Sequence, residues 1–414
     1  MLHKLKIGKL LKSAHLLFFR LVILTLPVQL GKHFWPKFSL VWGLRIDYLS
    51  PTLFVTDILI LAVLISWGIE KLRIKKIKRF QALLKHLPAL ICISVLLIGN
   101  YLAADNKPVF FYQSAKILEF ILLTLYVAKN PSSFKIISDF IFIPVVYSTL
   151  IGLGQLCKQG SLGGVFWWLG ERTFNLSTPG IAKTSLDGRL FLRPYATFPH
   201  PNILASFLLV GLIIIFSRLS KKNAFPVFFL AITTIFLSFS HVNWLAGLMI
   251  ILCYLYKKYR RQKKYFILYL FLIMLVIIFT FWKYPVDSYS LSRRLGLAQS
   301  AFSMIKSHLF FGVGLGNFIV QLPFFWQVNE GSRFFQPVHN IFLLVAAETG
   351  LIGLGLFIQI LWLAVKRTYR IKNRLVFFSL LVIIFTGLFD HYWWTLQQSQ
   401  LLFAIMMGLA WSKS

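Results

Sequence analysis

Apolar runs of about 20 residues recur from one end of the chain to the other, each long enough for a helix to cross roughly 30 Å of hydrocarbon. This constrains the fold more than any other feature. A segment in lipid has no water to satisfy its backbone, so it closes its hydrogen bonds internally as a helix or pairs in a closed barrel. Barrel strands are half as long and alternate in polarity, so these runs read as helices. The composition agrees: of 414 residues 58% are hydrophobic and 14% charged, and mean hydropathy is +0.74. A soluble domain carries roughly 25% charged residues, so this chain has too few to cover a water-facing surface.

The runs place crossings at 16–31, 51–69, 84–103, 109–128, 136–157, 202–219, 225–241, 243–256, 265–282, 340–363, 375–393 and 397–411. The expected fold is all-α: a polytopic transmembrane bundle of about twelve helices, one integral membrane domain over 1–414. The first run, Leu16 to Leu30, holds Arg20 and lacks a small-residue cleavage site, so it reads as an anchor rather than a signal peptide.

The net charge of +32 is distributed in bursts between the runs. Lys4, Lys6, Lys9 and Lys12 precede the first; Lys71, Arg73, Lys75, Lys76, Lys78 and Arg79 follow the second. Lys129 and Lys135, then Arg218, Lys221 and Lys222, then Lys257 to Lys264, Lys366 to Arg374 and finally Lys413 occupy alternate connections. The connections between them are nearly bare, with Asp105 and Lys107 in one and no Lys or Arg around 394–397. This positive-inside alternation puts both termini in the cytoplasm, and the basic rim would meet anionic membrane lipids. It argues against nucleic acid as a partner, because no basic and aromatic stripe lies on a soluble module.

Two connections are long, 158–201 and 283–339, and both fall on the extracytoplasmic side. They are rich in Gly, Pro, Trp and Phe, and 295–307 has apolar residues at helical spacing, predicting a short amphipathic helix on the outer surface. Ordered loops of this size commonly carry function. No internal repeat is evident, which disfavours an inverted-repeat transporter. Cys92, Cys157 and Cys253 are far apart and within apolar runs, so they read as small helix residues rather than metal ligands or disulfides.

Charges at membrane depth need partners. Lys116 and Glu119, at i and i+3, are expected to pair. Asp57 and Asp139 lie near helix ends, and Asp390 and His391 end the eleventh helix beside Tyr392, Trp393 and Trp394, which read as an interfacial aromatic belt.

Three outward segments remain: Leu192 to Asn202 (LRPYATFPHPN), Ser292 to Phe318 (SRRLGLAQSAFSMIKSHLFFGVGLGNF) and Val338 to Gly355 (VHNIFLLVAAETGLIGLG). They bring Arg193, Arg294 and His339 to the outer face. Guanidinium groups grip phosphate oxygens in a fork, and histidine is suited to accept a proton near neutral pH. His339 stands at a helix start, where the positive end of the dipole favours neutral imidazole. A phosphate leaving group and a hydroxyl nucleophile would use all three. Arginines at an interface also bind lipid headgroups, so residue chemistry alone leaves both readings open. The absence of clustered carboxylates on this side argues against a metal centre.

These segments resemble the O-antigen ligase and O-antigen polymerase superfamily of membrane glycosyltransferases. Residues 193–202 are similar to its Arg-x-x-Gly-Thr-Phe-x-His-Pro-Asn signature, with Ala196 in place of glycine. Arg294 to Phe318 is similar to its Arg…Gly-Val-Gly-x-Gly-Asn-Phe segment, and Val338 to Gly355 to its His-Asn…Glu-x-Gly-x-x-Gly signature. The chain departs at SFSHVNW, where His241 stands for an arginine, and at Leu309, where a proline is usual.

The resemblance implies a GT-C-like bundle in the bacterial inner membrane. It implies transfer of a glycan from a polyprenyl-diphosphate carrier to a lipid or glycan acceptor hydroxyl on the extracytoplasmic side, without metal or other cofactor. Carried over by motif, His339 would be the base, and Arg193 with Arg294 would hold the leaving diphosphate. Arg293, Arg172, His200, Asn202 and Asn340 would complete the substrate site, and Arg293 beside Arg294 leaves the second arginine open by one position. Ligase and repeat-unit polymerase share these motifs. A lipid-linked glycan transporter is the alternative from another class, disfavoured because the charged set lies at one face rather than at the midplane.

Overall fold

The computed structural model describes residues 14–74, 87–186, 188–216, 221–259, 288–326 and 334–412. It is mostly helical. The helices are α1 (Ala14–Leu24), α2 (Val55–Ile74), α3 (Leu87–Ala103), α4 (Lys107–Lys129), α5 (Ser133–Phe140), α6 (Phe142–Lys158), α7 (Pro201–Phe216) and α8 (Lys221–Leu237). They continue with α9 (His241–Tyr259), α10 (Ser288–Ser307), α11 (Phe318–Phe325), α12 (Ile341–Arg370), α13 (Arg374–Gly387), α14 (Tyr392–Thr395) and α15 (Gln397–Trp411). Among the described residues, three stretches are long and apolar enough to cross a membrane: α4, the continuous Ser133–Lys158 run, and α12. The expected crossing at 265–282 lies outside the described residues.

α7 sits at the centre of the bundle. It is apolar on every side, and residues from Ile203 to Ile215 are buried against α6, α8, α9 and α13, as an all-round hydrophobic helix requires. α15 runs along α4, where Thr124 Oγ1 donates to the Ala404 carbonyl at 3.0 Å. Large apolar side chains at helical spacing remain exposed, among them Ile58, Leu61 and Ile65 on α2, Leu118, Ile121 and Leu125 on α4, and Ile358 and Trp362 on α12. Stripes of this extent suit an apolar medium rather than water.

Between the apolar helices the chain also forms short strands. Three two-stranded antiparallel pairs occur among the described residues: Gly31–His33 with Thr52–Phe54, Leu40–Val41 with Leu44–Arg45, and Lys183–Leu186 with Arg189–Leu192. The helix expected at 295–307 is α10, and it begins further upstream. Its apolar stripe, Leu297, Ala301 and Met304, is fully buried against Val313, Phe318, Leu322 and Leu344. It is therefore a packed element rather than one lying on the surface.

α12 is not a simple rod. Gly350 adopts φ 69° and ψ −176°, which breaks the helix and exposes the carbonyls before it. The glycine-rich turn after α10 fills the break: Val313 N–H donates to Ala347 O at 2.8 Å and Gly314 N–H to Glu348 O at 3.0 Å. The Asn100 amide donates at 2.6 Å to both Phe311 O and Glu348 O and accepts from Leu315 N–H at 2.9 Å. A Cβ on Gly350 would sit 2.1 Å from Phe310 O, and one on Gly312 would sit 2.4 Å from the Glu348 backbone. The Gly-Val-Gly segment thus locks α10 to α12.

Lys116 pairs with Glu119 at 2.9 Å, as the spacing predicts, and with Asp57 of α2 at 2.7 Å, a partner the sequence did not assign. The aromatic belt expected at 392–394 is instead largely interior. Tyr392 and Trp393 are buried, Trp393 Nε1 donates to Thr386 Oγ1 at 2.8 Å, and Trp394 Nε1 donates to Glu348 at 3.2 Å. The α13–α14 corner tucks these rings under the helix ends, where their polar atoms find protein partners. Cys157 and Cys253 are free thiols.

Candidate functional site

His339 immediately precedes the cap of α12. Asn340 Oδ1 accepts from Phe342 N–H at 2.8 Å and Leu343 N–H at 3.0 Å, meeting two of the orphan donors of a helix start. Its Nδ2 donates to Leu388 O at 3.0 Å. This one side chain ties the start of α12 to the end of α13, and so brings His339 to Asp390.

His339 Nδ1 lies 3.2 Å from Asp390 Oδ1, which also accepts from His391 N–H at 2.9 Å. Asp390 Oδ2 accepts from Asn202 Nδ2 at 3.3 Å, and Asn202 Oδ1 accepts from Arg193 Nη2 at 2.8 Å. Arg193 Nε donates in turn to Ser238 O in the turn between α8 and α9. One continuous network therefore joins Arg193, Asn202, Asp390 and His339 across three segments distant in sequence. The His339 and His391 rings are 5.1 Å apart, and the Tyr48 ring meets His391 at 5.6 Å.

The charges around this network set its protonation. Burial pushes His200 down to about 3, helped by the charge of Arg193. Burial does the same to His391, to about 3, only partly opposed by Asp390. Both imidazoles are neutral near pH 7. Burial would raise the Asp390 carboxyl, but the His339 hydrogen bond and the neighbouring cations, Arg294 among them, outweigh it and hold it well below the usual carboxylate range. Burial and the charge of Arg294 bring Arg193 down to about 10, still a cation at neutral pH.

These groups border a cavity of about 940 Å³. Of the residues singled out from sequence, Arg172, His200, Arg293, Arg294 and His339 line it, together with Asp390 and His391. Arg193, Asn202 and Asn340 do not. Arg193 and Asn202 stand in the network behind the wall, and Asn340 spends both ends of its amide on backbone. The two adjacent arginines separate by environment. Arg294 Nη1 donates to Phe389 O at 3.4 Å and its charge is felt at Asp390, whereas Arg293 lies 4.5 Å over the Phe334 ring. Arg172 rests over Tyr195 and donates to Pro199 O at 3.2 Å.

Ala196 occupies φ 50°, a backbone region that favours glycine. It is held there by the buried Gln155, whose Oε1 accepts from Tyr195 and Ala196 N–H at 3.0 and 2.7 Å while its Nε2 donates to Ala196 O at 2.8 Å. His241 opens α9 beside Trp244, their rings 5.2 Å apart.

Asp390 is the residue that sequence reasoning undervalued. An acid–histidine pair at a helix end reads as interfacial, and only the α12–α13 tie reveals its partner. His339, Asp390 and His391 each offer one donor atom, all within 4.8 Å of one another, a three-ligand group that the sequence reading, expecting no metal centre, did not foresee. As the side chains stand, Asp390 Oδ1 is engaged by two hydrogen bonds.

No curated protein matches the chain. Residues 226–358 match a family model described as O-Antigen ligase. The match runs from α8 past the break in α12 and includes Arg293, Arg294 and His339, while Arg193, His200, Asn202 and Asp390 lie outside it. Over residues 226–358 the chain is similar to the O-antigen ligase family, which supports a place in the O-antigen ligase and polymerase superfamily.

Proposed function

We propose that the protein is an O-antigen ligase-like glycosyltransferase. It moves a glycan from a polyprenyl-diphosphate carrier to an acceptor hydroxyl at the extracytoplasmic face of the bacterial inner membrane. The observation that carries this reading is the His339–Asp390 pair at 3.2 Å on the wall of a cavity that Arg172, Arg293 and Arg294 also line. Asp390 accepts a hydrogen bond from the Nδ1–H, which leaves Nε2 of His339 with its lone pair. Nε2 takes the acceptor O–H proton as the oxygen attacks the anomeric carbon. The bond from that carbon to the phosphate oxygen breaks, and the diphosphate departs with the electron pair, its charge met by the cavity arginines. Arg193 acts through Asn202, orienting Asp390. The fold that serves this reading is a single membrane domain of about twelve crossings with both termini cytoplasmic and the 158–201 and 283–339 loops outside.

Purified protein incubated with polyprenyl-diphosphate oligosaccharide and candidate acceptors tests the proposal. Single addition to a lipid acceptor supports the ligase reading, a ladder of repeats makes it a polymerase of the same superfamily, and no transfer to any acceptor overturns it. The same assay run with EDTA tests the metal-free mechanism. Turnover is expected to be unchanged, and loss restored by added Mg²⁺ or Mn²⁺ would place a cation at His339, Asp390 and His391.

A further inference from the structure

The side chains lining the cavity fall into two chemically different groups. The arginines and His200, His339 and His391 come from α10, the start of α12, the α13–α14 corner and the 158–201 loop. The second group comes from one helix pair: Tyr112, Gln113 and Lys116 of α4 with Gln397, Gln398 and Gln400 of α15. In this α4–α15 group every side-chain nitrogen already makes at least one hydrogen bond or ion pair. Gln113 Nε2 donates to Tyr48 O at 3.2 Å and Gln400 Nε2 to Trp394 O at 2.5 Å. Gln398 Nε2 donates to Pro27 O at 2.6 Å and to Thr197 O at 3.2 Å. Gln397 Nε2 donates to Thr56 Oγ1 at 3.1 Å and to Asp57. The Tyr112 hydroxyl is closed on the Thr52 backbone, and the Lys116 charge is balanced by Asp57 and Glu119.

The acceptors are not engaged. The Gln113, Gln398 and Gln400 carbonyl oxygens have no hydrogen-bond donor among the described residues. Gln397 is 5% exposed, lines the cavity, and its Oε1 is buried without a partner. The buried Gln397 oxygen has lost water without gaining a donor, and the other three accessible oxygens are free to accept, so the group calls for a donor-bearing ligand. An ionised diphosphate brings only acceptors and a polyprenyl tail brings neither. Sugar hydroxyls bring donors.

We infer that the α4–α15 group, with Gln113, Gln397, Gln398 and Gln400 as acceptors, is the subsite for the donor glycan. This rests on the glycosyltransferase reading above and adds to it a division of the cavity: diphosphate on the arginine side, glycan on the glutamine side. The two sides meet at Tyr48, which touches His391 through its ring and accepts from Gln113 through its backbone carbonyl. The first sugar is thereby placed between the leaving group and His339.

Two probes separate the halves: polyprenyl diphosphate alone, and the same lipid carrying a short oligosaccharide, each titrated onto the full-length protein. In Gln113→Leu and Gln398→Leu, the glycosylated lipid should bind about tenfold more weakly, with KM raised and kcat within a few-fold of wild type. Affinity for the sugar-free lipid should be unchanged, which also reports that the variants are folded. Equal losses for both lipids, or unaltered binding of the glycosylated one by variants whose parent transfers normally, would overturn the subsite. A wild-type protein that transfers nothing and binds neither lipid would instead overturn the functional reading beneath it.

Discussion

At His339 the proton that matters first is the one on Nδ1. Only if Asp390 keeps it there does Nε2 face substrate as a base, so the carboxylate fixes a tautomer as well as a ring orientation. Asp390→Asn preserves size but can present an N–H to Nδ1 and favour the wrong tautomer. It is expected to lower kcat about 10²–10⁴-fold with little change in KM, measured by steady-state transfer. A fall in KM-dependent binding at normal kcat would deny the positioning role. Little of this was legible in sequence. Arg294 and His339 stood out because cations and imidazoles near a membrane face need an explanation. Asn340 looked like a ligand but is a cap, because Asn before a helix serves either purpose until its amide partners are seen. Arg193 looked like a phosphate fork, yet two of its donors are committed to Asn202 and Ser238.

Among the elements, the α10–α12 junction decides whether the arginines of α10 share a cavity with His339. The left-handed Gly350 frees the Ala347 and Glu348 carbonyls, and the glycine-rich turn supplies their donors. Gly350→Ala meets both a disfavoured φ and a Cβ 2.1 Å from Phe310 O. A destabilisation of roughly 2–4 kcal/mol follows, seen as a lowered melting temperature of the purified protein; unaltered melting would mean the junction is loose. The apolar periodicity marked a helix across 340–363, and periodicity carries no sign of a break, since Gly350 sits in it as any small helix residue would. The same blindness applies to α10. Its apolar stripe is as compatible with a membrane surface as with Val313 and Phe318, and only the turn that folds back decides between them. The short strand pairs in the loops carry too few residues for a period to register.

Over the whole molecule, hydropathy and charge bias were enough to read a helical membrane protein, because lipid removes almost every alternative. The convergence of the loops on one cavity was not readable, since it depends on amide hydrogen bonds between segments far apart in the chain, such as Asn202 with Asp390, 188 positions away. That convergence has a consequence for stability. His200 and His391 remain neutral in the fold down to about pH 3, while an unfolded histidine takes its proton near 6.5. Within that window the unfolded chain binds more protons, so stability falls as pH drops below about 6.5 and is level above it. The depressed Asp390 adds to this decline below about 4, where its unfolded form would protonate first. Melting temperature recorded from pH 8 to 5 should therefore be flat and then decline, and a His391→Gln variant should decline less steeply; a flat profile throughout would contradict neutral burial of the imidazoles.

The central claim is that His339 activates the acceptor while the arginines hold the donor. It is tested most directly by measuring donor-lipid binding and glycan transfer on the same preparations of wild type, His339→Ala and Arg294→Lys. The account predicts that His339→Ala binds polyprenyl-diphosphate glycan as wild type does yet transfers none, whereas Arg294→Lys loses donor affinity as well. Transfer by His339→Ala at the wild-type rate would contradict it.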